Sequence, residues 1–486
     1  MLARVLRSFV PSVSSESSLK VRKEAFSGSE NPLAKAVARP MARFLAQETA
    51  SGVLLIIATV IALVWVNLPG SLGESYHQLW DIHLVLDFGG WTLFDESLEH
   101  VVNDALMVLF FFVVGLEIKS ELVVGDLREP RVAALPAIAA LGGMVVPAGI
   151  YLAVTAGGEG ANGWGIPMAT DIAFAVGVLA LLGPMVPQKL KLFLLTLAIV
   201  DDIGAILVIA VFYTTNISLS WLSLAIGLVL LIVILTKLRV WYTPIYVMVG
   251  IAVWYATLQS GVHATIAGVV LGLLAPATPL LGERAFESVE DTMSGDNVLK
   301  SENGHNGHNG HHADASQVFD ANWKNKERLA ITTRMAQLVS PWTGFVIVPI
   351  FALANAGIEL SGGAFAEAAS SRVTWGIILG LVVGKTLGVS LFTWAALKFN
   401  LSTLPEGVTM NHVVGGGAVA GIGFTVALFI SRLAFVDENG DPLPFLDEAI
   451  LGVLIASVLA TMLGWFLLKR AGHKAAAAEL PVQQTV

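Results

Sequence analysis

The stretch Leu190–Phe212, LKLFLLTLAIVDDIGAILVIAVF, decides how this chain is read. It is long enough to cross a bilayer, for which about 20 apolar residues suffice. Two adjacent carboxylates, Asp201 and Asp202, stand in its middle. On insertion scales each mid-membrane carboxylate costs roughly 2.5–3.5 kcal/mol. The pair therefore costs about 5–7 kcal/mol if nothing compensates, comparable with the whole stability of a domain. The competing reading, a polar loop between two short helices, lacks turn chemistry, since no Pro, Asn or second Gly accompanies Gly204. An acid pair kept at that cost is expected to be used.

Outward from this stretch the composition is that of a membrane protein. Of 486 residues, 55% are hydrophobic and 13% charged, against about 25% charged in an average soluble protein. The absence of cysteine excludes a disulfide framework, thiol chemistry and a Cys-based metal site. Apolar segments fall at 50–68, 98–123, 133–154, 160–182, 190–213, 219–237, 242–256, 261–275, 335–356, 374–397, 412–435 and 446–468, which makes twelve. One set of alternate loops holds Lys119, Arg128 and Arg131, then Lys189 and Lys191, then Lys237 and Arg239, then Arg284, Lys324, Lys326 and Arg328, then Lys398. The other set holds Arg372, Arg432 and otherwise acids or neutral residues. The positive-inside rule then places both termini in the cytoplasm.

The expected organisation is a polar, Ser-rich, basic N-terminal extension (1–45), eight spans (46–280), a His-rich cytoplasmic linker (281–330), four spans (331–470) and a cytoplasmic tail (471–486). The apolar run Gly52–Val66 starts too late for an ordinary signal peptide and is read as an uncleaved first span. The linker's NGHNGHNGHH tract, with His305, His308, His311 and His312, can bind metal adventitiously but reads as a solvated low-complexity segment. Between the first two spans, HLVLDFGGWTLFDES (83–97) carries two strand-like runs around Gly89-Gly90. It reads as a hairpin offering strand edges to a partner, or else as a plain surface loop.

Two spans look interrupted. The fourth, GWGIPMATDIAFAVGVLALLG, has Pro167 ahead of Thr170-Asp171, and the eleventh, VVGGGAVAGIGFTVALFI, has five glycines from Gly415 to Gly423. In lipid such breaks are tolerated where they line a cavity; close helix packing is the other use of glycine there. The two breaks echo each other, Asp171–Val176 (DIAFAV) aligning with Gly421–Val426 (GIGFTV). Paired interrupted spans point to a transporter built from inverted repeats. A broken helix creates ends of about +0.5 and -0.5 charge inside the membrane. Asp171 is the acid placed to quieten the positive ends, and Lys385, deep in the tenth span, the base for the negative ones.

Hard cations take oxygen ligands, and Asp201, Asp202 and the Thr170 hydroxyl supply them. At about 6 Å and an effective dielectric near 20, two carboxylates repel by roughly 2.8 kcal/mol, which favours a proton on one of them. A site that holds protons or one cation, but not both, becomes an antiporter once access alternates. If the cation displaces more than one proton, the cycle moves charge and the membrane potential drives it.

These residues resemble the NhaA family of sodium/proton antiporters. The likeness runs over residues 45–470, through ETASGVLLII (48–57), HVVNDALMVLFFFVVGLEIKSEL (100–122), ATDIAFAVGVLALLG (169–183), LAIVDDIGAI (197–206), SGVHATIAG (260–268), FALANAG (351–357), VGKTLGVSLF (383–392), LPEGV (404–408) and GIGFT (421–425). The resemblance implies an all-α polytopic protein of the bacterial cytoplasmic membrane, with about twelve helices, inverted-topology repeats and the fourth and eleventh helices interrupted and crossing. It implies electrogenic export of Na⁺ or Li⁺ against H⁺, with no cofactor, no enzyme activity and no nucleic-acid partner. By the same likeness Asp201, Asp202 and Thr170 form the cation and proton site, while Asp171 and Lys385 compensate helix ends. Asp104 lines the cytoplasmic half, and Glu117, Glu121 and Arg334 belong to a cytoplasmic cluster concerned with pH response. His263 is structural or interfacial, and the hairpin at 83–97 joins a homodimer within the lipid bilayer. The ninth span departs from the pattern, because Ala336, Gln337 and Ser340 cannot titrate where sharply pH-activated members carry acid and histidine.

Three other readings compete. A Na⁺-coupled symporter needs a roomy organic-substrate site. An intramembrane aspartyl protease needs its two aspartates in YD and GxGD settings, and Asp202 sits in VDDIG. A channel fits poorly with titratable acids beside a lysine.

Overall fold

The computed structural model describes residues 50–89, 91–214, 217–238, 240, 242–277, 330–360, 363–436 and 442–479. The N-terminal extension, the His-rich linker up to 329 and the last residues of the tail lie outside them.

The described chain is almost entirely helical, as its long apolar runs require. Helix α1 (Ala50–Val66) is followed by the short α2 (Ser71–Trp80). Strands β1 (His83–Phe88) and β2 (Trp91–Ser97) then pair antiparallel, from His83↔Ser97 to Phe88↔Trp91, with a bulge at Leu86/Asp87. Gly89 takes the φ of +64° that this tight turn needs. The hairpin signal at 83–97 therefore forms a hairpin and not a plain loop. Ser97 caps α3 (Leu98–Val123), accepting from the His100 N–H at 3.3 Å. There follow α4 (Pro130–Thr155), a 3₁₀ segment (Glu159–Met168), α5 (Ile172–Leu182), α6 (Gln188–Phe212), α7 (Leu219–Lys237), α8 (Thr243–Leu258) and α9 (Thr265–Leu274). Beyond the linker come α10 (Ile331–Asn355), the short α11 (Ala364–Ser370), α12 (Arg372–Lys398), α13 (Met410–Ala420), α14 (Phe424–Ala434) and α15 (Leu446–Glu479).

Among the described residues seven helices are long and apolar enough to cross a membrane. Two bent pairs join them: the 3₁₀ segment with α5, bent by 44°, and α13 with α14, bent by 47°. Helices α1, α8 and α9 are shorter and apolar. The chain is thus a polytopic helical membrane protein. Helix α15 runs to Glu479, past residue 471 where a tail was expected, because the run Ala475–Ala478 consists of the best helix former.

Most packing falls within two groups of helices. One holds α1, α2, α3 and α7 to α10. The other holds α4, the two bent pairs, α6, α12 and α15, that is, two runs of straight, broken and straight helix. In this second group α4 and α12 approach very closely: a Cβ on Gly142 would lie 2.4 Å from the Gly388 oxygen, and one on Gly388 2.1 Å from the Gly142 oxygen. A π turn, Leu379–Gly384, precedes Lys385 in α12. On the hairpin side the groups meet where Phe429 of α14 packs on Phe111 of α3 (5.4 Å between ring centres) and Phe351 of α10 (6.3 Å). The Arg432–Glu99 ion pair closes the same seam.

Candidate functional site

The two breaks, at 169–171 and 421–423, lie against each other, and the Asp171 N–H donates to the Ile422 carbonyl at 2.7 Å. A helix start leaves backbone N–H groups without partners, and inside a membrane water cannot supply them. Asp171 serves two starts at once. Its Oδ1 accepts from the Phe174 N–H at 3.0 Å, the N-cap bond of α5. Its Oδ2 accepts from the Thr425 N–H at 3.2 Å and the Thr425 hydroxyl at 2.6 Å, at the start of α14. One carboxylate therefore faces two positive helix ends. Ser457 of α15 adds a hydroxyl oxygen that accepts from the Phe424 N–H at 3.3 Å. Phe174 and Phe424, aligned in the sequence echo, touch across the crossing with ring centres 5.7 Å apart.

Beside this crossing, unbroken helix carries the acid pair of α6. Asp201 is fully buried and Asp202 is 6% exposed. The Thr170 hydroxyl lies 2.7 Å from Asp201 Oδ2 and 2.8 Å from the Ala420 carbonyl that ends α13. Having one proton, it donates to one of them at a time. Lys385, also fully buried, donates to Thr170 Oγ1 at 3.0 Å and pairs with Asp201 Oδ2. The lysine expected to face the negative helix ends thus sits on a carboxylate, and the hydroxyl of Thr170 reaches the helix end in its place. A whole negative charge holds an ammonium better than the half charge of a helix terminus. Oδ1 of Asp201 and Oδ1 of Asp202 are buried with no hydrogen-bond partner among the described residues. A crevice of about 20 Å³, room for about one water, opens on Thr170 between Ile172, Ala175, Leu194, Ala198 and Ala420.

The structure thus brings together Asp201, Asp202, Thr170, Asp171 and Lys385. The remaining site residues lie outside this cluster, although Glu117 is near enough to Asp202 for their charges to act on each other. Asp104 sits in the π turn Val102–Leu106 at the hairpin end of α3, its backbone carbonyl accepting from Trp254 Nε1 at 2.7 Å. Glu117 and Glu121 lie at the other end of α3, about 20 Å along the helix. Asp104 therefore lies at the opposite end of α3 from Glu117 and Glu121, with which the resemblance grouped it. The first half of α10 packs on α3 and carries Arg334, whose Nε is buried without a partner among the described residues. His263 joins the loop before α9 to the Tyr213 carbonyl at 2.6 Å, away from the acids.

Sequence reasoning missed three polar contacts. Thr425 lay inside the aligned echo but faced a glycine-rich break with no acid of its own. Ser457 is a lone serine in an apolar run, which carries no signal. Asn103 and Asn355 exchange side-chain amide hydrogen bonds at 3.2 and 2.9 Å between α3 and α10, and both lay inside quoted motifs.

A helical membrane protein in which two broken spans cross beside buried acids has the build of a secondary transporter. The chain belongs to the family described as Na⁺/H⁺ antiporter 1, which it matches over residues 42–468. It is similar to the Na⁺/H⁺ antiporter NhaA 3 of Frankia alni, 42% identical over 438 residues that cover 90% of each chain. It is 43% identical to the Na⁺/H⁺ antiporter NhaA of Oleidesulfovibrio alaskensis, over 90% of this chain and 95% of that one. To the Rhodopirellula baltica protein of the same description it is 43% identical, over 88% and 93%. A transporter, not an enzyme, is what this membership defines.

Proposed function

We propose that Asp201, Asp202 and Thr170 form the site at which a sodium ion and protons alternate in the Na⁺/H⁺ antiport that family membership gives this chain. The observation that carries the reading is the pair of buried carboxylate oxygens without partners among the described residues, beside a third oxygen on Thr170. A buried carboxylate left so must hold a proton or a cation. Oxygen donors suit Na⁺ or Li⁺, the cargo, and Asp202 needs no rearrangement to accept one. On Asp201 the ion competes with Lys385, so cation entry displaces the ammonium or a proton. Asp171 is the fixed counterpart, keeping the crossing closed while the site exchanges its occupants.

Export of the cation against more than one proton makes the exchange electrogenic. The two runs of straight, broken and straight helix, with their aligned breaks in contact, support an inverted repeat within a twelve-span chain. Loop lysines and arginines support cytoplasmic termini in the inner membrane. Glu117, Glu121 and Arg334 serve the cytoplasmic mouth. Leu84, Val85 and Leu86 of the hairpin are about half exposed, which supports a homodimer formed there.

The test is proton release. Purified protein in weakly buffered solution should release protons when NaCl or LiCl is added and not when choline chloride is. No release would favour a Na⁺-coupled symporter and overturn the exchange reading.

A further inference from the structure

His412 is the third residue of α13, the half-helix that ends in the Ala420 carbonyl beside Thr170. Its side chain is 1% exposed. Its Nδ1 accepts from the Thr409 N–H at 3.1 Å, completing a capping box with Thr409 as the N-cap. An accepting Nδ1 requires the neutral tautomer with its proton on Nε2. That Nε2 is buried and has no partner among the described residues.

Protonation changes this arrangement. Nδ1 would then carry a proton, face the Thr409 N–H donor to donor, and turn to the Thr409 hydroxyl oxygen, 3.0 Å away, as its acceptor, so that the N-cap N–H loses its own. The new charge would stand at the positive end of α13, where a cation is disfavoured. Among the described residues the charged groups packed around this turn are mostly basic and do not compensate that charge. The α6 start brings Lys189 and Lys191, of which Lys189 is paired with Glu406 of the preceding loop at 2.8 Å. The α12 end brings Lys398, which lies over Trp394. Helix α15 runs alongside with Gly464 at Val419 and Leu468 at Gly415; this register brings Lys469, Arg470, His473 and Lys474 to the same end. Helix α5 carries no charged residue. Glu406, the carboxylate of the preceding loop, is already engaged with Lys189.

A loosened start of α13 reaches the ion site through rigid packing. A Cβ on Gly417 would lie 3.3 Å from the Thr386 oxygen, one residue from Lys385, and one on Gly416 2.9 Å from Leu194 of α6. We infer that His412 is a positioning residue for transport: its neutral imidazole caps α13 and so holds Ala420, Thr170 and Asp201 in register, and its protonation releases that cap and sets an acid limit on exchange. The inference rests on the antiport reading and supplies a titrating group in a chain whose Ala336, Gln337 and Ser340 cannot titrate.

The experiment compares wild type, His412→Gln and His412→Ala in proteoliposomes, reading Na⁺-driven proton flux from about pH 5.5 to 9. Glutamine at this position keeps an acceptor for the N-cap N–H and does not titrate. His412→Gln is expected to match wild type at alkaline pH and to move the acid limb down by about half a unit or more. His412→Ala, with no acceptor at any pH, should be several-fold slower throughout. A His412→Gln profile that superimposes on wild type overturns the inference. Should the variants fold poorly, amide hydrogen exchange at Thr409–Val413 in wild type decides: a protection factor, corrected for the intrinsic pH dependence of exchange, that falls on acidification supports the role, and one that does not change with pH overturns it. Wild type without flux at any pH would instead defeat the antiport reading, while the exchange measurement would still judge His412.

Discussion

Asp171 at the helix crossing and Asp202 on α6 are both buried acids, 3% and 6% exposed, yet their surroundings differ completely. Asp171 accepts three hydrogen bonds from Phe174 and Thr425 and faces two positive helix ends. Asp202 has a buried oxygen with no partner among the described residues. A carboxylate whose acceptors are all used has become part of the frame, because any new occupant must break those bonds. A carboxylate left unsatisfied is unstable alone and stable when occupied. Asp201 stands between them, one oxygen held by Lys385 and Thr170 and the other without a partner among the described residues. The gradient from Asp171 through Asp201 to Asp202 orders what each substitution should do.

The largest effect is expected at Asp202. Asp202→Asn should lower Na⁺-dependent proton flux by more than about 100-fold, equivalent to about 2.7 kcal/mol. Its thermal midpoint should stay level or rise, because an unpaired buried charge has been removed. Flux in proteoliposomes and unfolding in detergent check the two halves. A variant that keeps its flux, or unfolds far more readily than wild type, would erase the distinction from Asp171.

Lys385→Ala comes next and strikes stability as well as transport. It strands Asp201 in the interior, and removing one partner of a buried pair costs about 3–5 kcal/mol. Adding Asp201→Asn should restore much of that loss, since the stranded charge goes with its partner. The pair of variants separates an ion pair that holds the fold from one that merely accompanies transport. If the single substitution leaves the thermal midpoint unchanged, Lys385 is not paired as the geometry has it.

Asp171→Asn should show the reverse of Asp202→Asn. An amide keeps one acceptor oxygen and turns a donor toward backbone N–H groups, for about 1–3 kcal/mol of lost stability. The folded fraction should bind Na⁺ within a few-fold of wild type, read from Na⁺-induced proton release per folded molecule. A collapse of cation affinity with stability intact would move Asp171 from the frame into the site.

How much of this was legible in the sequence follows from the range of each interaction. Asp201-Asp202 stood out because charges in an apolar run are rare at any register. The breaks were legible through Pro167 and the glycines from 415 to 423, and the echo aligned Phe174 with Phe424, two rings that touch. The partner of Lys385 was not legible. It depends on how α12 settles against α4 through Gly142 and Gly388, which no local pattern encodes. Asp171 was assigned to positive helix ends, but its hold on Thr425 spans 254 residues of sequence. Asp104 was grouped with Glu117 and Glu121, although its place just after the hairpin already set it at the opposite end of the span.

The smallest effect is expected at Ser457, and it probes how far the frame extends. Its hydroxyl takes the Phe424 N–H at 3.3 Å from a different helix, a longer contact than the bonds at 3.2 and 2.6 Å that join Asp171 to Thr425. Ser457→Ala should cost about 0.5–1.5 kcal/mol, the worth of a single neutral hydrogen bond, and leave flux within about two-fold, a change of about 0.4 kcal/mol. Asp171 still covers the next N–H at Thr425, so the start of α14 keeps its main partner. If Ser457→Ala instead lowered flux as Asp202→Asn does while the thermal midpoint held, the crossing would not be a fixed frame. Helix α15 would then take part in exchange through the start of α14, and the division between a satisfied acid and an unsatisfied one would no longer separate structure from transport.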